Sequence, residues 1–166
     1  MKHQLTQKDI EKMKEEIEYR KVVVRKELLD QVKSARAHGD LSENFEYHAA
    51  KKEKNRNESR IRYLERMIKT CDLVGDEAED GTVGINTTVE LYFEEDDEVD
   101  TFSIVTTVLA DSMMNRVSIE SPIGKALKGH KAGDRVKIQA NPEYGYFVVI
   151  RSVAPFSDEG LNINKY

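Results

Sequence analysis

The chain reads as an α+β protein, an N-terminal antiparallel α-helical coiled-coil hairpin followed by a small antiparallel β-sheet domain with one short helix. Two apolar seams of helical period flank one glycine-containing stretch, the period drops to two beyond residue 82, and the charge changes sign between the halves. Residues 1–75 hold 18 Lys and Arg against 14 Asp and Glu, net +4, whereas residues 76–166 hold 8 against 17, net −9. In 166 residues such a split predicts two small domains.

No Pro or Gly interrupts residues 7–36, where Ile10, Met13, Ile17, Val24, Leu28, Val32 and Ala35 recur close to alternating spacings of three and four. Gly39 ends that run, and Tyr47, Ala50, Lys54, Asn57, Ile61, Leu64 and Ile68 form a second seam. If the chain folds back near Leu41, Ala35 meets Tyr47, Val32 meets Ala50, Leu28 meets Lys54, Val24 meets Asn57, Ile17 meets Leu64 and Met13 meets Ile68. Two independent periods thus agree on one turn. A short Gly-containing loop between matched helices favours a hairpin within one chain over a parallel dimer, so a monomer is expected. Lys54 and Asn57 would form a polar layer that fixes register at some cost in stability. Each arm of about 29 residues reaches roughly 43 Å, a thin rod suited to entering a narrow space.

The turn carries two acids, Asp40 and Glu43, within Gly39-Asp40-Leu41-Ser42-Glu43-Asn44. As a capping box, Asp40 is the N-cap and Glu43 stands at N3, with Ser42 a rival N-cap. As ligands, the two carboxylates project toward a hard cation such as Mg²⁺, which takes octahedral oxygen ligation and commonly combines one or two protein carboxylates with water and phosphate oxygens. Two acids are too few for a self-sufficient metal site, so chemistry there needs a partner that completes the shell, as in two-metal phosphoryl transfer.

Past a glycine-bounded acidic linker at 76–81, alternation at Val89, Leu91 and Phe93, and again at Phe102, Ile104, Thr106 and Val108, predicts two strands around the turn Glu94-Glu95-Asp96-Asp97-Glu98. Val117 with Ile119, Val136 with Ile138, and Phe147 to Ile150 supply three more. Ser121 to Lys128 fits a short helix with Ser at the N-cap, Pro122 at N1 and Gly129 closing it.

These blocks together resemble the Gre family of bacterial transcript-cleavage and transcription elongation factors, most nearly its GreA type. The resemblance rests on residues 39–44, on Glu46-Tyr47, Ala49-Ala50-Lys51 and Arg60-Ile61, and on Ser118-Ile119-Glu120-Ser121-Pro122-Ile123-Gly124-Lys125-Ala126-Leu127 with Gly129 and Gly133-Asp134. It implies an FKBP-like C-terminal domain at 82–153 after the hairpin at 1–75, with 154–166 a tail past the usual end. It implies a hairpin that enters the secondary channel of bacterial RNA polymerase, where Asp40 and Glu43 help hold a Mg²⁺ shared with the polymerase and promote cleavage of the backtracked RNA 3′ end. The chain would be an accessory factor rather than an enzyme and would bind no metal alone. Lys52, Arg56 and Arg60 are the RNA-side candidates on the second helix, against a solvated coiled-coil face as the plainer reading. Glu120, Ser121 and Pro122 are the polymerase-docking candidates, although capping alone also accounts for Ser121 and Pro122.

Phe45, Lys128 and Thr106 depart from the usual family pattern. Bulky Phe45 beside Glu43 keeps open a channel-binding paralogue that inhibits cleavage, and a coiled-coil adaptor unrelated to transcription is a third reading. Prolyl isomerisation is disfavoured, since Trp is absent and no aromatic pocket can be read from the spacing. No run approaches the 18 apolar residues of a membrane span, and no export signal is visible at the N-terminus, so a cytoplasmic location and no membrane partner are expected. The lone Cys71 forms no internal disulfide and reads as a small apolar residue near a helix end.

Overall fold

The structure, a computed structural model, describes residues 2–39, 44–75 and 80–165. It divides into two units, one made of Ile10–Cys71 and the other of Met1–Asp9 with Asp72–Tyr166. The first nine residues therefore belong with the strand-rich unit rather than with the hairpin, as the expected 1–75 boundary had it.

From Ile10 the helical unit runs through the rest of α1 (Gln7–Tyr19), a π-helical turn at Arg20–Val24, α2 (Arg25–Arg36) and α3 (Phe45–Thr70). Buried Tyr47, Ala50, Ile61 and Leu64 follow the second seam as read from the sequence, while Met67 rather than Ile68 is the buried residue at its end. On the first arm Ile10, Met13 and Ala35 are buried. The π turn inserts extra backbone and shifts the register. Asn57, expected opposite Val24, instead bonds to Arg20, accepting from its Nη1 at 3.0 Å and donating from Nδ2 to its carbonyl at 3.4 Å. Three successive β-branched residues, Val22 to Val24, crowd the preceding turn and disfavour regular helix there.

In the other unit β1 (Gln4–Leu5) pairs in parallel with β2 (Asp72–Leu73). Thr6 and Asp9 then cap α1 reciprocally: the Thr6 N–H donates to Asp9 Oδ2 at 3.1 Å and the Asp9 N–H donates to Thr6 Oγ1 at 3.2 Å. Thr106 Oγ1 donates to the same Asp9 oxygen at 2.7 Å. The main sheet holds β3 (Thr87–Phe93), β4 (Glu98–Val105), β5 (Arg116–Ser118), β6 (Arg135–Asn141) and β7 (Tyr144–Pro155) in the order β5-β4-β3-β7-β6. Each neighbouring pair is antiparallel except β4 with β5, which is parallel. The all-antiparallel expectation fails there because two one-turn 3₁₀ segments, Thr107–Leu109 and Ser112–Met114, carry the chain back before β5 begins. Thr106 and Val108 accordingly lie outside β4. The helix α4 (Pro122–Leu127) adds Leu127 to a core of Val89, Leu91, Ile104, Ile119, Val136, Ile138, Val148 and Ile150, and the period of two in β3 and β6 supplies one buried face.

Candidate functional site

The N-cap of α3 is Asn44, whose side chain accepts from the Tyr47 N–H at 3.0 Å and donates from Nδ2 to the Ala35 carbonyl at 2.6 Å. One amide thus caps the second helix and joins it to the last turn of the first. The cap expected from Asp40 or Ser42 is filled by Asn44; Asp40, Ser42 and Glu43 themselves lie outside the described residues. Beside the cap, Phe45 is 86% exposed, whereas Tyr47 is buried with Arg36 stacked over its ring at 5.7 Å. Core packing is therefore the role of Tyr47, and Phe45 is the aromatic face open to solvent.

The basic candidates divide. Lys52 and Arg56 are exposed on α3, Arg56 in a 3.0 Å pair with Glu53 one turn earlier. Arg60 is only 5% exposed and spends its guanidinium on Glu16, with Nε at 2.9 Å from Oε1 and Nη2 at 3.2 Å from Oε2. Its expected RNA-side role is corrected to an anchor between the helices. Arg20 adds a third bond to Glu16 at 2.8 Å, so Glu16, Arg20, Asn57 and Arg60 make one polar layer. Burial pushes the Glu16 carboxyl up, but the hydrogen bonds and charges of Arg60 and Arg20 outweigh it and hold the group below its ordinary range. The polar layer expected of Lys54 and Asn57 is thus built on Asn57, with Lys54 half-buried beside it.

Around the docking candidates the backbone is tightly held. Ser121 Oγ accepts from the Gly124 N–H at 3.1 Å and donates to the Ser118 carbonyl at 2.6 Å, with Pro122 exposed at N1. A Cβ on Gly124 would lie 2.3 Å from the Ser118 oxygen, so only glycine permits that approach of α4 to β5. The Glu120 side chain is 12% exposed; Oε2 accepts from Thr107 Oγ1 and lies 3.1 Å from His3 Nδ1, while the Glu120 N–H donates to Ser118 Oγ at 3.0 Å. His3 and Thr107 were not singled out in the sequence, where 117 and 13 residues separate them from Glu120.

Among the described residues no cluster of three or more His, Cys, Asp or Glu could hold a metal ion. The donors at the tip, Asp40 and Glu43, suit Mg²⁺ in kind, being hard carboxylate oxygens, and fall short in number. No helix among the described residues is long and apolar enough to cross a membrane.

Residues 3–73 match the family model for the N-terminal region of a transcription elongation factor, and residues 77–154 match that for the GreA/GreB C-terminal region. Transcription elongation factor GreA of Thermoanaerobacter pseudethanolicus is 45% identical over 136 residues, 81% of this chain and 87% of the relative. Its counterpart in Acholeplasma laidlawii is 36% identical over 152 residues, 92% of this chain and 96% of the relative. Among solved structures, GreA factor homolog 1 of Thermus thermophilus is 23% identical, with 92% of this chain and 99% of that one covered at a TM-score of 0.43. On the two models, which together cover most of its length, and on these sequence relatives, the chain belongs to the GreA/GreB family of transcription elongation factors.

Proposed function

We propose that this factor inserts its helical hairpin into the secondary channel of bacterial RNA polymerase and stimulates the polymerase's own Mg²⁺-dependent cleavage of backtracked RNA, rescuing arrested complexes. The observation that carries the reading is Asn44: it caps α3 and ties that helix to α2 directly after the stretch that holds Asp40 and Glu43. In this reading Asp40 supports the shared metal and Glu43 helps position metal or water, both acting as carboxylates. The Mg²⁺, when bound jointly with the polymerase, supplies charge neutralisation at the scissile phosphate and an activated nucleophile. Lys52 and Arg56 face the RNA, while Glu120, Ser121 and Pro122 dock the sheet unit on the polymerase. The factor works as a cytoplasmic monomer and is not itself the hydrolase.

The test is RNA cleavage in a stalled, backtracked complex. Asp40→Asn and Glu43→Gln keep size and polarity, and cleavage is expected to fall on the order of tenfold or more with polymerase binding and melting temperature unchanged. Wild-type cleavage rates in both variants would sink the metal-supporting role. The exposed ring of Phe45 favours one second reading, a channel-binding inhibitor; wild-type factor that binds polymerase and lowers cleavage would establish it.

A further inference from the structure

The matched C-terminal model ends at residue 154, yet the chain beyond it is packed rather than trailing. The strand β7 itself continues to Pro155, after which the Phe156 N–H donates to the Asn86 carbonyl at 2.9 Å. Asp158 is 3% exposed, accepts from Asn86 Nδ2 at 3.4 Å and faces Lys8 Nζ at 3.8 Å. A turn follows, with Gly160 at φ +76° and the Leu161 N–H on the Asp158 carbonyl at 3.2 Å. Asn164 then lies along the first 3₁₀ segment: its N–H donates to the Val108 carbonyl at 2.6 Å and its Nδ2 to the Thr107 carbonyl at 2.9 Å. A single 3₁₀ turn has little hydrogen bonding of its own, so donors supplied from outside do much to hold it.

Thr107 is the link that gives this packing a functional direction. Its carbonyl takes the Asn164 amide, while its hydroxyl donates to Glu120 Oε2 and lies 2.7 Å from Ser118 Oγ. One residue therefore separates the terminal segment from a docking carboxylate.

We infer that residues 156–165 are a strap that holds the Thr107–Leu109 turn and, through Thr107, sets the Glu120 carboxylate toward the polymerase, with Asn164 as the positioning residue. The inference rests on the docking role of Glu120 proposed above. A carboxylate fixed in this way through one oxygen recognises a cationic or N–H-bearing surface, and fixing it before contact lowers the ordering cost of binding. The strap acts on docking alone and leaves the hairpin tip untouched.

The experiment measures affinity for core RNA polymerase, cleavage at saturating factor and melting temperature for full-length Asn164→Ala, Asn164→Gln, Glu120→Gln and the double variant Asn164→Ala/Glu120→Gln. Asn164→Ala retains the backbone bond to Val108, loses the Nδ2 bonds to the Thr107 carbonyl at 2.9 Å and, more weakly, the Ala110 carbonyl at 3.5 Å, and is expected to weaken polymerase binding about fivefold, the net scale of one good hydrogen bond, with saturating cleavage unchanged. Asn164→Gln, which keeps an amide donor, recovers part of that loss. The double variant binds no more weakly than Glu120→Gln alone, because the strap works through that carboxylate. Weakened binding in Glu120→Gln with wild-type binding in Asn164→Ala, or additive losses in the double variant, overturns the strap and leaves docking standing. Wild-type binding in Glu120→Gln overturns the docking reading and the strap with it.

Discussion

Arg60 grips Glu16 from the opposite helix through two nitrogens, Nε on Oε1 and Nη2 on Oε2, with the guanidinium carbon also 5.5 Å from the centre of the Tyr63 ring. Removing one partner of a largely buried charge pair takes from the other much of its compensation. Glu16→Ala is therefore expected to destabilise the protein by on the order of 3 kcal/mol in urea unfolding. Arg60→Met, which keeps the apolar stem while removing the charge, costs less than Glu16→Ala.

The same carboxylate gives a pH dependence. Glu16 has its pKa raised by burial and lowered more strongly by Arg60 and Arg20, ending below the ordinary 4.5. Glu58 is lowered by the Arg25 hydrogen bonds at 2.7 and 3.0 Å. A depressed folded-state pKa means that the unfolded chain binds the proton first, so this stability is complete above 4.5 and disappears as pH falls through the folded value. Urea unfolding across a pH series is expected to show little pH dependence from these groups between roughly pH 7 and 5, where their contribution is full, and a decline in stability at lower pH. Glu16→Gln lowers stability at neutral pH and shallows the acid decline; an unchanged acid slope would contradict the assignment.

Asn44 both accepts and donates, and its two bonds can be separated. Asn44→Ala removes the cap and the tie to Ala35, a loss of about 1 to 2 kcal/mol in unfolding free energy. Asn44→Ser keeps an acceptor for the Tyr47 N–H and loses the reach to the Ala35 carbonyl, so its cost is the smaller of the two.

Gly124→Ala is expected to be costly for a different reason. The new methyl would meet the Ser118 carbonyl oxygen at 2.3 Å and the Ile119 Cα at 2.7 Å, both backbone atoms with no rotamer to escape into. Overpacking of this kind costs about 3 kcal/mol, and the shift is transmitted to Glu120 and Ser121. Thermal melting and polymerase affinity should both fall in this variant.

Much of this architecture was legible because two periods carry it. Tyr47, Ala50, Ile61 and Leu64 are buried where a three-four seam puts them, and Val89, Leu91, Val136 and Ile138 where a period of two does. What escaped were contacts between short pieces distant in sequence. The pairing of Gln4–Leu5 with Asp72–Leu73 involves two residues on each side, too few for a pattern, although Thr6 and Asp9 form a cap spacing that marks the start of α1. Arg60 looked available to RNA because a basic residue carries no sign of its burial, and Glu16 lies 44 residues away. The π turn at Arg20–Val24 contains neither Gly nor Pro, the usual signals of an interrupted helix.

Asn44 has a consequence for how such factors diversify. Closure of the second helix is assigned to Asn44, a residue just after positions 40–43. A relative that keeps Asn at this position keeps the same cap and the same tie between its helices, so kinship along the helices reports on the shaft alone.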